Sequence, residues 1–92
     1  MRSVFVFNEE NNLKVLVYIT LKSSVLDPQG KAIEKTLADI GFTGVEEVRQ
    51  GKYIELEISE NNSEKAKSKA EEMCQKLLAN TVIENYRIDI GS

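Results

Sequence analysis

Between Leu13 and Leu21 apolar side chains occupy every second position, Leu13, Val15, Val17, Ile19 and Leu21, with Lys14, Leu16, Tyr18 and Thr20 between them. A period of two is that of a strand with one buried face, so a first strand is predicted here. Asp27 and Pro28 then carry the signature of a helix start. A carboxylate oxygen can accept the orphan N–H groups, and proline's missing N–H costs nothing at the first helical position. From Pro28 to about Ile40 the residues Ala32, Ile33, Thr36, Leu37 and Ile40 share one stripe, and Gly41 supplies a left-handed terminus. The stripe predicts a helix that lies on a sheet.

Val45 to Gln50 and Tyr53 to Ser59 read as two more strands joined by a tight hairpin at Gly51-Lys52, with Ile54, Leu56 and Ile58 on one face of the second. Asn61 to Ser63 opens a second helix, Asn61 and Glu64 having capping-box spacing. Its apolar face is Ala66, Ala70, Met73, Cys74, Leu77 and Leu78, ending near Ala79 or Asn80. A last strand from Glu84 to Ile90 places Tyr86, Ile88 and Ile90 inward. The order β-α-β-β-α-β predicts an α+β, ferredoxin-like domain over residues 13–92: a four-stranded antiparallel sheet with two helices on one face. Residues 1–12 precede it as an N-terminal extension, either loosely ordered or, through Val4 to Phe7, forming an added edge strand.

The 92 residues include 12 basic and 15 acidic ones, a net charge of −3, so no global positive field draws nucleic acid or an anionic membrane. Histidine is absent, which excludes Ser-His-Asp and Cys-His catalysis within the chain. One cysteine, Cys74, permits neither an internal disulfide nor a Cys/His zinc site. Single-cysteine usage, a short apolar run at Val4 to Phe7 and no stretch of ~20 apolar residues point to a cytoplasmic protein. Neither Gly30-Lys31 nor Gly51-Lys52 completes a phosphate-binding loop: the leading glycine positions hold Val25 and Glu46, and the Ser/Thr positions hold Ala32 and Tyr53. Cys74, on the apolar stripe with no base to activate it, reads as a buried structural thiol. Glu46, Glu47, Glu55, Glu57 and Glu60 read as a solvated charged face. No catalytic, cofactor-binding or metal-binding residue is assigned.

Two surfaces read instead as interfaces. On the outer sheet face Leu16, Tyr18 and Tyr53 stand amid Lys14, Glu47, Arg49, Glu55, Glu57 and Arg87, an aromatic centre with a charged rim. These three are the homodimer candidates, and the acidic rim speaks against RNA. Asp27, Pro28, Gln29 and Gly30, with Arg49, Gly51 and Lys52, are candidates for contact with a different partner, because helix-start donors and local positive charge orient one. Gly30 sacrifices ~1 kcal/mol relative to alanine in a first helical turn. Close approach of another backbone and local packing both account for it.

The segments Tyr18-Ile19-Thr20-Leu21-Lys22, Val25-Leu26-Asp27-Pro28-Gln29-Gly30-Lys31-Ala32, Val48-Arg49-Gln50-Gly51-Lys52-Tyr53-Ile54-Glu55-Leu56 and Cys74-Gln75-Lys76-Leu77-Leu78-Ala79-Asn80 together closely resemble the PurS family. The resemblance runs from Leu13 to about Ile90. It departs at Thr81, where the family commonly has proline, and at residues 1–12, which extend beyond the usual start. It implies the small, non-catalytic subunit of bacterial phosphoribosylformylglycinamidine synthase, an enzyme of de novo purine synthesis. In that enzyme a glutaminase subunit releases ammonia and a large subunit, which carries ATP and Mg²⁺, adds it to formylglycinamide ribonucleotide. The small subunit bridges the two, assists ammonia transfer, and forms dimers. The same topology also suits a second reading, a small-molecule-sensing regulatory module of the ACT type that binds an amino acid at a dimer interface.

Overall fold

The computed structural model describes residues 12–91. Its elements run β1 (Leu13–Leu21), α1 (Pro28–Asp39), β2 (Gly51–Ile58), α2 (Ser63–Met73) continued by a π-helical turn (Cys74–Leu78), and β3 (Glu84–Gly91). The strands form one antiparallel sheet in the order β2-β1-β3. The alternation along β1 places Val15, Val17 and Ile19 at full burial under α2, each stabilising the fold by about 1.5–3 kcal/mol. They meet Ala66, Ala70 and Cys74, whose small side chains bring the helix close to the sheet, while Ile54, Leu56 and Ile88 close the sides of the core. Val4 to Phe7, the predicted added edge strand, lies outside the described residues.

The sheet has three strands, which corrects the predicted four-stranded arrangement. Residues 42–50 join no ladder, and Gly51-Lys52 is not a hairpin turn. Gly51 already belongs to β2, paired with Thr20 of β1. A Cβ there would run into the Ile19 carbonyl, so the glycine answers a close approach between two strands rather than a turn. Left-handed backbone occurs earlier, at Gly41 (φ 105°) and Gly44 (φ 89°), where the chain turns away from the end of α1.

Helix α1 does not lie on the sheet either. Ala32 and Thr36 are exposed, Ile33 and Ile40 are 40% and 65% exposed, and Gly30 alone of its residues is buried. The helix projects beyond the sheet and residues 42–50 lead back beside its first turn, so that together they form an arm. The radius of gyration is accordingly 17.7 Å, where a compact chain of this length has about 12 Å. An amphipathic stripe reports that a helix face needs cover; it carries no information about which surface supplies it.

Helix α2 begins one residue later than the capping-box spacing predicts. Asn62 is the cap, its Oδ1 accepting from the backbone N–H groups of Glu64 at 2.8 Å and Lys65 at 3.1 Å. At the other end the Ala79 N–H bonds the Cys74 carbonyl at 2.9 Å, the signature of the π turn. That wider turn splits the predicted apolar face. Cys74 and Ala79 turn inward, whereas Leu77 turns outward to 82% exposure.

Candidate subunit interfaces

The junction between arm and sheet is organised by Asp27. Its carboxylate, on a residue 4% exposed, accepts the Gly30 N–H at 2.9 Å through Oδ1 and the Gln50 N–H at 2.8 Å through Oδ2. One side chain thus caps α1 and fastens it to the residue that leads into β2. Those bonds, from Gln50 first and then Gly30, together with the nearby Arg49 charge, hold the carboxyl below the ordinary aspartate range against the opposing effect of burial. Gly30 sits against the Val48 carbonyl, into which a Cβ would project. The close backbone approach therefore comes from within the chain. Asp27 and Gly30 face inward, while Pro28 and Gln29 are exposed, and the Gln29 and Gln50 side-chain amides hydrogen-bond across the same junction.

Arg49 and Lys52 flank this junction. The Arg49 guanidinium donates through Nη2 to the Lys22 carbonyl at 3.0 Å and the Val25 carbonyl at 3.3 Å, clamping the connection from β1 to α1. Lys52 reaches across the sheet end to Glu84, Nζ to Oε2 3.5 Å, and Glu84 also accepts the Asn80 N–H at 2.7 Å. Between them lies a polar cleft of about 210 Å³ lined by Leu21, Asp27, Gln29, Gln50, Lys52 and Glu84. Its groups donate and accept hydrogen bonds and include no thiol or hydroxyl. The partner-facing candidates Asp27, Pro28, Gln29, Gly30, Arg49, Gly51 and Lys52 are therefore brought together at one end of the sheet, with Pro28, Gln29, Arg49, Gly51 and Lys52 exposed there.

The homodimer candidates also form one patch. Leu16, Tyr18 and Tyr53 share the sheet face opposite α2, where Tyr18 pairs with Tyr53 on β2 and Arg87 on β3. The tyrosine rings are 5.2 Å apart, and the Arg87 guanidinium lies 4.3 Å from the Tyr18 ring centre, a cation–π contact. The Tyr53 hydroxyl donates to Glu55 at 2.7 Å, and this bond to a carboxylate raises its pKa to about 12. Lys14 faces Glu55 at 4.0 Å. Glu47 and Arg49, expected on this rim, lie instead in the irregular segment that leads into β2, because that segment is not a strand.

A third surface is not predicted from the sequence. Beside α2 runs a groove of about 480 Å³ lined by Leu56, Met73, Leu77 and Leu78 together with Lys69, Glu72 and Lys76. Its only signal in the sequence is excess: six apolar positions on α2 and its continuation are more than one sheet face can cover. Cys74, adjacent in sequence, is buried, and its thiol pKa is raised by desolvation and secondarily by the Glu71 charge, in keeping with packing. Among the described residues, no group of three or more carboxylate or thiol side chains is placed to hold a metal ion, and no helix is long and apolar enough to cross a membrane.

Comparison with known proteins gives the chain its family. The family model PurS, phosphoribosylformylglycinamidine (FGAM) synthase, matches residues 14–92. The chain is 51% identical over 77 residues to the phosphoribosylformylglycinamidine synthase subunit PurS of Bacillus subtilis, covering 84% of this chain and 90% of that one. The crystal structure of Methanocaldococcus jannaschii PurS, one of the subunits of formylglycinamide ribonucleotide amidotransferase in the purine biosynthetic pathway, superposes with a TM-score of 0.79 at 46% identity, covering 87% of this chain and 96% of that one. A chain in the structure of PurLQS from Thermotoga maritima superposes with a TM-score of 0.81 at 34% identity, covering 87% and 98%.

Proposed function

Because the chain belongs to the PurS family and is a subunit of phosphoribosylformylglycinamidine synthase, an ATP-dependent ligase of purine biosynthesis, we propose that it works there as a connector without chemistry of its own. It bridges the glutaminase subunit and the large synthetase subunit and assists the passage of ammonia from glutamine to formylglycinamide ribonucleotide. ATP and Mg²⁺ belong to the large subunit, the assembly is cytoplasmic, and the chain forms a homodimer. Family membership disposes of the ACT-type reading.

The observation that carries the connector role is the quantity of organised contact surface left open on so small a chain. The Tyr18–Tyr53 face, the α1 stripe, the α2 groove and the polar cleft at the sheet end each present a distinct chemistry. Such surfaces are concentrated where macromolecules dock. Mixing the chain with the two other subunits tests this: glutamine-dependent synthesis should require all three, and ammonia-dependent synthesis should need the large subunit most. Glutamine hydrolysis or ATP turnover by the isolated chain would overturn the reading.

A further inference from the structure

At the end of the sheet where the polar cleft opens, two turns stand side by side and carry aliphatic side chains in solvent. The Lys22 N–H donates to the Ile83 carbonyl at 2.8 Å, which joins the connection from β1 to α1 with the connection that leads into β3. Each turn is also closed on itself. The Val25 N–H bonds the Lys22 carbonyl at 2.9 Å, the Ile83 and Glu84 N–H groups bond the Asn80 carbonyl at 3.0 and 2.7 Å, and the Asn80 side chain accepts from the Val82 N–H at 3.2 Å. On this fixed backbone Leu26 is 71% exposed, Val82 79% and Ile83 37%. Covering them would release apolar surface from water at little cost in ordering the turns that hold it.

Arg49 is fastened to the same place. Its Nη2 donates to the carbonyls of Leu21 at 3.4 Å, Lys22 at 3.0 Å and Val25 at 3.3 Å, so the guanidinium is held on the turn that leads to Leu26. Neutral acceptors position the group without discharging it. Among the described residues no carboxylate forms an ion pair with Arg49, and Nε and Nη1 have no hydrogen-bond acceptor. Asp27 gives its oxygens to Gly30 and Gln50 instead. The free edge of a fixed, planar guanidinium fits a carboxylate, which it binds through two parallel N–H···O bonds. The surroundings favour such an anion, because Lys22 and Lys52 lie at this end while Asp27 is buried and Glu84 turns inward to Lys52 and the Asn80 N–H. A second copy meeting this end through its own equivalent end would oppose like charges, so the charge pattern favours a different chain.

We propose that the sheet end formed by Leu26, Val82, Ile83 and Arg49 docks another subunit of the synthase through a segment that carries a carboxylate side chain among apolar ones. The carboxylate sits on the free edge of Arg49 and the apolar side chains cover the two turns. This rests on the connector reading and gives it a surface. The test titrates the full chain against the glutaminase subunit and the large subunit, singly and together, by calorimetry, with sedimentation of the chain alone. Leu26→Glu combined with Val82→Glu alters two exposed side chains, so circular dichroism and self-association should be unchanged. Binding to a partner subunit should weaken by at least about thirtyfold, the effect of losing an interface hot spot. Arg49→Gln should weaken the same contact and flatten its dependence on ionic strength, because a charge-assisted pair is lost. An unaltered salt dependence would confine Arg49 to holding the turn and overturn the carboxylate contact. Wild-type affinity of the double variant would overturn the proposal while leaving the connector reading in place. A wild-type chain that binds neither subunit would overturn both. Loss of self-association by the double variant would place this end between copies of the chain and overturn the proposal as well.

Discussion

Asp27 Oδ2 accepts the backbone N–H of Gln50 at 2.8 Å, a bond between residues 23 positions apart that closes the base of the arm. The same carboxylate is the cap of α1, so the direction of the helix and the start of β2 are set by one side chain. The orphan Gly30 N–H of the first helical turn, which is buried, is thereby satisfied.

That arrangement predicts an acid-sensitive arm. The folded pKa of Asp27 lies below 3.8, the ordinary value of an aspartate. Its stabilisation is therefore complete above that value and is lost as pH falls through the lower folded pKa. Asp27→Asn should lower the thermal midpoint at pH 7 and flatten the loss of stability below about pH 4. An unaltered acid-denaturation profile would mean that the carboxylate charge does not hold the junction.

Gly30→Ala should destabilise the chain by about 1–3 kcal/mol, the usual cost of forcing atoms into a packed site. The added methyl meets a backbone carbonyl, that of Val48, which has no rotamer by which to withdraw. Urea denaturation measures this directly. A neutral or stabilising result, as helix propensity alone predicts, would show that the arm opens at no cost.

Cys74→Ser should preserve glutamine-dependent synthesis in the reconstituted enzyme while reducing stability by about 1–3 kcal/mol, because the hydroxyl enters an apolar site. The thiol is fully buried and its pKa is raised by burial and by Glu71. A thiol reagent should therefore label it only when the chain unfolds. Rapid labelling of the native protein, or loss of turnover with normal folding, would contradict the packing role.

Elements whose identity depends on neighbours along the chain are legible in the sequence. The period of two from Leu13 to Leu21, the Asp27-Pro28 helix start and the strand from Glu84 reappear at nearly the predicted bounds, because dihedral preference and capping act over a few residues. The four PurS-like segments likewise identify the family without coordinates. Position in space is another matter. Gly51 looks like a hairpin glycine, yet it opens β2, paired with Thr20, where the Ile19 carbonyl leaves no room for a Cβ. The Ile33, Leu37 and Ile40 stripe looks like the underside of a sheet-packed helix, yet it is open because Asp27 ties α1 to Gln50. Periodicity determined which faces of this chain are apolar. Tertiary structure decided which of them the chain covers itself, since that depends on hydrogen bonds and close contacts between residues more than twenty positions apart, which no local pattern records.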